Sequence, residues 1–332
     1  MGVFGKKKKD GGKSTTIFYA TDLHGSTICF KKFINAAVYY RSKGQPVDVV
    51  IMGGDVAGKL IVPILKQNGH YKAHLTGMDH DMTTQEELAA FTKSCETLGV
   101  YGRVFEPDEY HGFSGDQAAQ DALFKELVFE RLREWMAFAE ERLAGQDITC
   151  YMSPGNDDFW EVDEIMEGAQ TIIVPDGKRV MLDESHEMIS SGLANTTPFH
   201  CPRDLPEEVL LERLEALAAQ VEDMSTCIFN FHVPPIKSGI DEAPALDKDM
   251  RPQIGPQGLV MASAGSTAVR AMIEKYQPLL ALHGHIHESR GQAKIGRTLS
   301  LNPGSEYSEG ILRGLLVTIS GDKVVSHMMT SG

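Results

Sequence analysis

Short runs of β-branched and aromatic residues that end in Gly, Asp, Asn or His recur along the chain and constrain its fold most strongly. The first two, TTIFYATD (15–22) and PVDVVIMGGD (46–55), are separated by an amphipathic stretch from Phe30 to Ser42. Continuous apolar runs of this length, joined through a helix, are typical of buried parallel strands in β-α-β units. The sequence therefore predicts an α/β protein.

The same pattern continues through most of the 332 residues, with two interruptions. Asn68-Gly69 lies between two extended runs, which predicts a β-hairpin at about 58–77. Apolar residues at three- and four-residue spacing then predict a helical insertion at about 84–145. We interpret residues 15–330 as one domain that contains both segments, and the lysine-rich residues 1–14 as a disordered basic tail.

Composition and charge argue against several classes of protein. The 46 acidic and 32 basic residues give a net charge of −14, which disfavours binding to long nucleic acids or anionic membranes. The five cysteines are odd in number and widely separated and form no C-x-x-C pair, so neither a disulfide framework nor a thiolate zinc site is indicated. Neither a spanning apolar segment nor the apolar core of a signal peptide occurs in the sequence. We therefore expect a cytoplasmic protein.

Five of the apolar runs end in residue types that bind metals. They are Asp22 with His24, Asp55, Asn156, His232, and His285 with His287. Ligands of open α/β sheets bind beyond the carboxyl ends of the strands, so these residues can converge although they are far apart in sequence. Each motif alone is more often a turn or a packed histidine. Their joint occurrence predicts a metal cluster, and imidazole, carboxylate and amide ligands without thiolate suit Mn²⁺, Fe²⁺, Co²⁺, Ni²⁺ or Zn²⁺.

The ordered set D-x-H, G-G-D, G-N-x-D, a single H and G-H-x-H resembles the calcineurin-like metallophosphoesterase superfamily. The resemblance spans Asp22 to His287, and LSLNPGS (299–305) is similar to the segment that follows G-H-x-H in that family. It implies a four-layer αββα sandwich of two mixed sheets that binds two divalent metal ions (Mn, Fe, Zn, Co or Ni). By this resemblance, the first ion is held by Asp22, His24 and His287, the second by Asn156, His232 and His285, and Asp55 bridges the two.

One position departs from the family pattern. Many members read G-N-H-[DE], whereas this chain has GNDD, with Asp157 in place of the histidine that protonates the leaving group. Asp158 matches the acidic residue that steadies that histidine. A carboxylate beside two cations stays ionised, so Asp157 is a poor proton donor. Similarity to members with another residue at this position favours phosphodiesters over phosphomonoesters.

The predicted function is hydrolysis of phosphate esters, chiefly diesters, by a metal-bound hydroxide. We expect a small substrate, with a nucleotide-like compound as one option, and no membrane or long nucleic acid as partner. Two alternatives stay open, a phosphomonoesterase and a non-catalytic metal-binding scaffold or interaction module. The helical insertion can act as a lid, a contact between protomers of an oligomer, or a platform for a partner.

Overall fold

The computed structural model describes residues 14–256 and 258–332, so the predicted tail at 1–14 lies outside the described residues except for Ser14. In this part of the chain the α-helices are α1 (Thr27–Ser42), α2 (Gln85–Leu98), α3 (Pro107–Ser114), α4 (Gln117–Leu143), α5 (Val162–Glu167), α6 (Glu207–Ala218) and α7 (Thr267–Tyr276). The strands are β1 (Thr15–Ala20), β2 (Val49–Met52), β3 (Ile61–Gln67), β4 (His70–Leu75), β5 (Met78–Met82), β6 (Tyr101–Phe105), β7 (Thr149–Met152), β8 (Ile172–Ile173), β9 (Arg179–Met181), β10 (Glu187–Ser191), β11 (Ala194–Asn195), β12 (Asp204–Leu205), β13 (Ile228–Phe231), β14 (Glu242–Pro244), β15 (Ile254–Gly255), β16 (Gly258–Leu259), β17 (Met261–Ser263), β18 (Leu280–Leu282), β19 (Gly291–Ile295), β20 (Thr298–Asn302), β21 (Arg313–Ser320) and β22 (Lys323–Ser331).

Two six-stranded mixed sheets form the centre of the protein. The first has the order β22-β21-β1-β2-β7-β8, and the second has the order β19-β20-β18-β13-β10-β9. In the first sheet β1, β2, β7 and β8 are parallel and β21 runs antiparallel to β1. In the second, β10, β13, β18 and β20 are parallel, with antiparallel strands at both edges. The parallel strands of each sheet therefore end at one edge, as the β-α-β pattern predicts.

Three buried apolar clusters separate four layers of structure. Ile17 and Val49 of the first sheet pack against Ile228 and Leu280 of the second. The alternate residues of β1 point the other way, because successive side chains of a strand face opposite sides, and they meet α1, α4 and α5. Helices α6 and α7 cover the outer face of the second sheet. The order helix, sheet, sheet, helix confirms the predicted αββα sandwich.

The chain between β2 and β7 adds a four-stranded sheet in the order β5-β4-β3-β6, together with α2, α3 and α4. Strands β3 and β4 are antiparallel and joined by Asn68 and Gly69, which both have positive φ, the backbone that two-residue hairpin turns require. Strand β6 lies between α2 and α3 and pairs parallel to β3. The division of the chain into a domain at 15–330 with a hairpin at 58–77 and an insertion at 84–145 stays a prediction.

Helix α2 begins with a capping box, in which the Thr84 side chain accepts the N–H of Glu87 and the Glu87 carboxylate accepts the N–H of Thr84. It ends at Leu98, and the following Gly99 has a φ of 76°, the left-handed conformation that closes many helices. Among the helices of the described residues, none has the length and apolar character needed to cross a membrane.

Candidate metal centre

The seven predicted metal ligands all lie just beyond the carboxyl ends of parallel strands in the two sheets. Asp22 with His24 follows β1, Asp55 follows β2, Asn156 follows β7, His232 follows β13, and His285 with His287 follows β18. Because these strands are neighbours within their sheets, their ends meet along one edge of the sandwich. Five of the seven are buried there, and His285 and His287 are partly exposed.

One group of ligand atoms comes from Asp22, His24 and His287. The two Nε2 atoms of the histidines lie 3.0 Å apart, and Asp22 Oδ1 lies 3.4 Å from Nε2 of His287 and 3.9 Å from Nε2 of His24. Atoms that each bind one ion at about 2.0–2.2 Å are separated by roughly 3.0–3.5 Å. These three side chains therefore have the spacing of a metal site.

A second group joins Asp55, His232 and His285. Asp55 Oδ2 lies 3.3 Å from Nε2 of His232 and 3.6 Å from Nε2 of His24, which belongs to the first group. His232 Nε2 is also 3.8 Å from Asp22 Oδ1. The carboxylate of Asp55 thus faces both groups, and the two groups share one buried space.

Two buried polar atoms fit a cation better than any protein partner. His232 Nδ1 donates to Gly53 O at 3.0 Å, so Nε2 is the ring nitrogen that faces Asp55. Asn156 Nδ2 donates to Asp204 Oδ1 at 2.9 Å, which leaves its Oδ1 as the free ligand atom of this side chain. Within the described residues, His232 Nε2 and Asn156 Oδ1 have no hydrogen-bond partner. Buried polar atoms without partners are costly, and a bound metal ion would remove that cost.

The pKa values of two of the predicted ligand histidines suit metal binding, and, against the effect of burial, neighbouring carboxylates raise the pKa of a third, His232. Burial, and then the charge of Lys59, lowers the pKa of His24 to about 3, and burial lowers the pKa of His285 to about 4. Both imidazoles are therefore neutral near pH 7 and keep a lone pair for an ion. Against the lowering effect of burial, the charges of Asp55 and Asp22 raise the pKa of His232 to about 10. A divalent cation between these groups would replace that proton.

The backbone is strained at four of the seven predicted ligand positions. Asp22, His24, Asp55 and His285 have φ values of 55°, 40°, 53° and 66°, in the left-handed region that residues other than glycine rarely adopt. Such strain persists where the surrounding structure imposes it, and it is concentrated at functional sites. Four strained residues within one cluster of seven indicate that side-chain placement here outweighs local backbone preference.

Close packing of the loops also depends on a glycine. A Cβ atom at Gly155 would lie 2.0 Å from Asp55 Oδ1, so only glycine allows the turn after β7 to approach the turn after β2. That approach lets the N–H of Asp157 donate to Asp55 Oδ1 at 3.1 Å. The G-N-D turn is therefore fixed directly to the carboxylate that faces both groups.

Asp157 lies at the rim of the cluster and has partners that the sequence did not indicate. Its Oδ2 is 2.8 Å from Lys59 Nζ and 3.9 Å from His24 Nδ1, and its Oδ1 accepts the Cys201 S–H with a distance of 2.7 Å to Sγ. His24, Asp55 and Asp157 form a third group whose atoms can hold an ion. Lys59 follows Asp55 by four residues. Its closeness to the G-G-D motif was the one sequence feature that could have placed it near the metal centre.

Asp158 is fully buried and braces two loops. Its Oδ1 accepts the N–H of Ala57 at 2.8 Å, and its Oδ2 accepts those of Val56 at 3.0 Å and Gly155 at 2.7 Å. Burial and then the charge of Asp55 raise the pKa of Asp158 to about 7 against these hydrogen bonds. Asp158 therefore positions the turn after β2 relative to the turn after β7.

Arg203 is a positioning residue that sequence reasoning missed. Its side chain is fully buried, its Nε and Nη2 donate to the carbonyls of Asp158 and Phe159, and it forms an ion pair with Asp163 at 2.6 Å. The guanidinium also lies over the Trp160 ring at 4.4 Å. No local motif marks it, because it reaches the G-N-D turn from a segment about 45 residues further along the chain.

A further aromatic side chain, Tyr307, lines the first ligand group. Its ring centroid is 4.8 Å from that of His24 and 5.8 Å from that of His287. The neighbouring Ser305, in the segment LSLNPGS, donates its hydroxyl to the carbonyl of Asp22 at 2.7 Å. This segment therefore packs against the first ligand group and holds the Asp22 backbone by a hydrogen bond.

Comparison with known proteins identifies a protein of similar sequence and several solved structures of similar fold. No protein-family model matches the chain. A solved structure described as TT1561 of Thermus thermophilus is similar, with 14% identity, 96% and 99% coverage of the two chains and a TM-score of 0.50. A structure described as a novel phosphatase of Mycoplasma pneumoniae covers 97% and 94% at 12% identity, with a TM-score of 0.46, below the level that establishes a shared fold. An uncharacterized protein of Methanocaldococcus jannaschii is 30% identical over 178 residues, which cover 53% of this chain and 69% of that protein. By this identity and coverage, the chain belongs to the same family as the Methanocaldococcus protein.

Proposed function

We propose that the protein is a phosphoesterase that uses two divalent metal ions and acts on small phosphodiesters. The observation that carries the proposal is the position of Asp55, whose Oδ2 lies 3.6 Å from His24 Nε2 and 3.3 Å from His232 Nε2. A carboxylate between two groups of imidazoles is the arrangement by which one side chain bridges two ions.

The proposed ligand sets follow the two groups. Asp22, His24 and His287 hold one ion, His232 and His285 hold the other with Asn156 Oδ1, and Asp55 contacts both. The metals are drawn from Mn, Fe, Zn, Co and Ni, which all accept imidazole with oxygen ligands. When bound, such ions supply a nucleophile by lowering the pKa of a water molecule, and they neutralise charge on the phosphate.

Residues of the chain orient this chemistry. The Gly53 carbonyl accepts from His232 Nδ1 and the Asp204 carboxylate accepts from Asn156 Nδ2, which leaves His232 Nε2 and Asn156 Oδ1 as the ligand atoms. Lys59 brings a cation to the rim, where a phosphate oxygen can accept a hydrogen bond from Nζ. Asp157 acts as an acceptor for both Lys59 and Cys201 and is therefore a poor proton donor.

The absence of histidine at position 157 supports the preference for diesters and for leaving groups that need no protonation. General acid catalysis contributes typically 10²- to 10⁴-fold, and the benefit is greatest for poor leaving groups. The net charge of −14 also favours a small substrate over a long nucleic acid. A small phosphate ester, with a nucleotide-like compound among the candidates, is the proposed substrate.

The test starts from protein that has been stripped of metal and reconstituted separately with Mn²⁺, Fe²⁺, Co²⁺, Ni²⁺ or Zn²⁺. Metal per chain is counted, and hydrolysis of bis(4-nitrophenyl) phosphate, 4-nitrophenyl phosphate, cyclic nucleotides and alkyl phosphates is measured. We expect two ions per chain and the highest kcat/KM on a diester. Metal binding without hydrolysis of any ester would favour the scaffold, and a higher kcat/KM on monoesters would favour a phosphomonoesterase.

A further inference from the structure

A cavity of about 350 Å³ opens beside the candidate metal centre. Small-molecule sites typically enclose roughly 300–1,000 Å³. The cavity lies between the segment that follows Asp55 and the helices α3 and α4. Its apolar walls include Leu60, Ile61, Pro63, Tyr110, Phe113 and Phe124. It can therefore accommodate one ring system of a ligand.

Lys59 joins this cavity to the metal centre. Its side chain lines the cavity, and its Nζ lies 2.8 Å from Asp157 Oδ2. The same carboxylate oxygen is 3.9 Å from Nδ1 of His24, in the first ligand group. A phosphate held at the ligand groups is thus separated from the cavity by about the length of one lysine side chain.

The aromatic side chains that line the cavity pack against buried aromatic residues. Phe113 packs on the buried Phe105 with ring centroids 4.8 Å apart, and Phe124 packs edge-on against the buried Tyr101 at 5.7 Å. Leu60 adds an apolar side chain that is 49% exposed although it lines the cavity. Rigid aromatic and aliphatic surfaces bind flat rings by stacking, with little loss of conformational entropy.

The polar side of the cavity offers mainly hydrogen-bond acceptors. Gln117 Nε2 donates to Asp121 Oδ1 at 2.8 Å, and Gln120 Nε2 donates to the carbonyls of Phe113 and Ser114 at 3.1 and 3.0 Å. Gln120 Nε2 has both of its N–H groups engaged, so this side chain presents its carbonyl oxygen, Gln117 presents its carbonyl oxygen beside one remaining N–H, and Asp121 presents its second carboxylate oxygen. Such a surface selects a ring that carries N–H donors.

We infer that this cavity binds the base of a nucleotide diester, and that it prefers bases with an exocyclic amino group, such as adenine. The location of the phosphate in this inference rests on the proposed function. The base site itself consists of side chains that need no metal. Uracil is disfavoured because its single free N–H is flanked by two carbonyl groups, which would face the acceptors of Gln120 and Asp121.

Calorimetric titration of adenosine into metal-free, full-length protein tests the base site separately from catalysis. We expect a Kd on the order of 0.1 mM, given typical affinities per ligand atom, and binding of uridine at least roughly tenfold weaker. Leu60→Trp fills the cavity and should remove adenosine binding, whereas the volume-conserving Leu60→Met should retain it within about twofold.

A second pair of variants tests the acceptor side without changing the volume of the cavity. Asp121→Asn should weaken adenosine binding about five- to tenfold, because an acceptor with full charge becomes an amide. Glu126→Gln makes the same change on an exposed residue of α4 outside the cavity and should leave the Kd unchanged. The site is overturned if adenosine at about 5 mM does not bind the wild type, or if it binds Leu60→Trp equally well. The base preference is overturned if uridine binds the wild type with the same affinity as adenosine.

The failure of this inference and the failure of the proposed function give different results. If only the function is wrong, adenosine binds the metal-free protein, but the metal-loaded protein hydrolyses no phosphodiester. If only the base site is wrong, the metal-loaded protein hydrolyses bis(4-nitrophenyl) phosphate, and adenosine does not bind.

Discussion

Lys59 Nζ lies 2.8 Å from Asp157 Oδ2 at the rim of the candidate metal centre. Burial alone would lower the pKa of Lys59, but the charges of Asp157 and Asp55 raise it above its usual range, so the side chain stays an ammonium. Position 157, where the sequence resemblance predicts a histidine, therefore carries an ion pair. This pair brings a permanent cation to the place where the substrate phosphate is proposed to lie.

Lys59→Met should lower kcat/KM on phosphodiesters by about ten- to a hundredfold, because a charged hydrogen bond to the phosphate is lost. Metal content should stay unchanged, since Lys59 is not a proposed ligand. Lys66→Met serves as the control, because Lys66 lies on β3 and forms an exposed ion pair with Glu106. Unchanged kcat/KM in Lys59→Met would show that the cation does not contact the substrate.

Asp157→His should raise turnover of alkyl phosphates by no more than about tenfold, below the 10²- to 10⁴-fold of a well-positioned general acid. The reason is that both oxygens of Asp158 accept backbone N–H groups, so Asp158 is not free to orient a new imidazole. The measurement is a leaving-group series for the wild type, Asp157→Ala and Asp157→His. A gain above a hundredfold in Asp157→His would mean that another group orients the ring.

Asp55→Asn should reduce bound metal from two ions to about one or fewer per chain, and activity should fall with it. An amide lacks the charge and the second equivalent oxygen needed to bridge two cations. The loss should exceed that caused by Asn156→Ala, which removes one terminal ligand. Asp48→Asn, an exposed change just before β2, is the control and should keep both ions. Two ions with near-normal turnover in Asp55→Asn would rule out the bridge.

The convergence of the predicted ligands at one edge was predictable because each follows its strand directly. Once β1 and β2 are recognised as parallel neighbours, the placement of Asp22 and Asp55 at one edge follows from topology. Lys59 and Arg203 were not predictable in this way, since their contacts depend on how loops from distant segments fold back. Strand β6 was hidden because a five-residue strand between two helices does not interrupt a helical pattern strongly.

Asp241 provides a prediction about stability and pH. It is buried in the loop that follows β13, where its carboxylate accepts the N–H groups of Lys237 at 2.8 Å and Ser238 at 3.0 Å and the hydroxyl of Ser263. Although burial opposes the change, the hydrogen bond from Ser263 and those from the backbone hold the pKa of Asp241 below its usual value. The charged form is therefore the one that stabilises the fold.

The sign of the pH dependence follows from this direction. A folded-state pKa below the unfolded value of about 3.9 gives stabilisation that is fully present above about pH 4 and is lost as the pH falls through the folded pKa. Asp241→Asn should lower the free energy of unfolding by about 1–3 kcal/mol at pH 7. The difference from the wild type should shrink at pH 3. Urea unfolding of metal-free protein at pH 7, 5 and 3 measures this difference in the free energy of unfolding. The control is Asp249→Asn, a change at an exposed residue, and its free energy of unfolding should lie within about 0.5 kcal/mol of the wild-type value. An equal loss at pH 3 and pH 7 would show that the shape of the side chain, and not its charge, holds the loop.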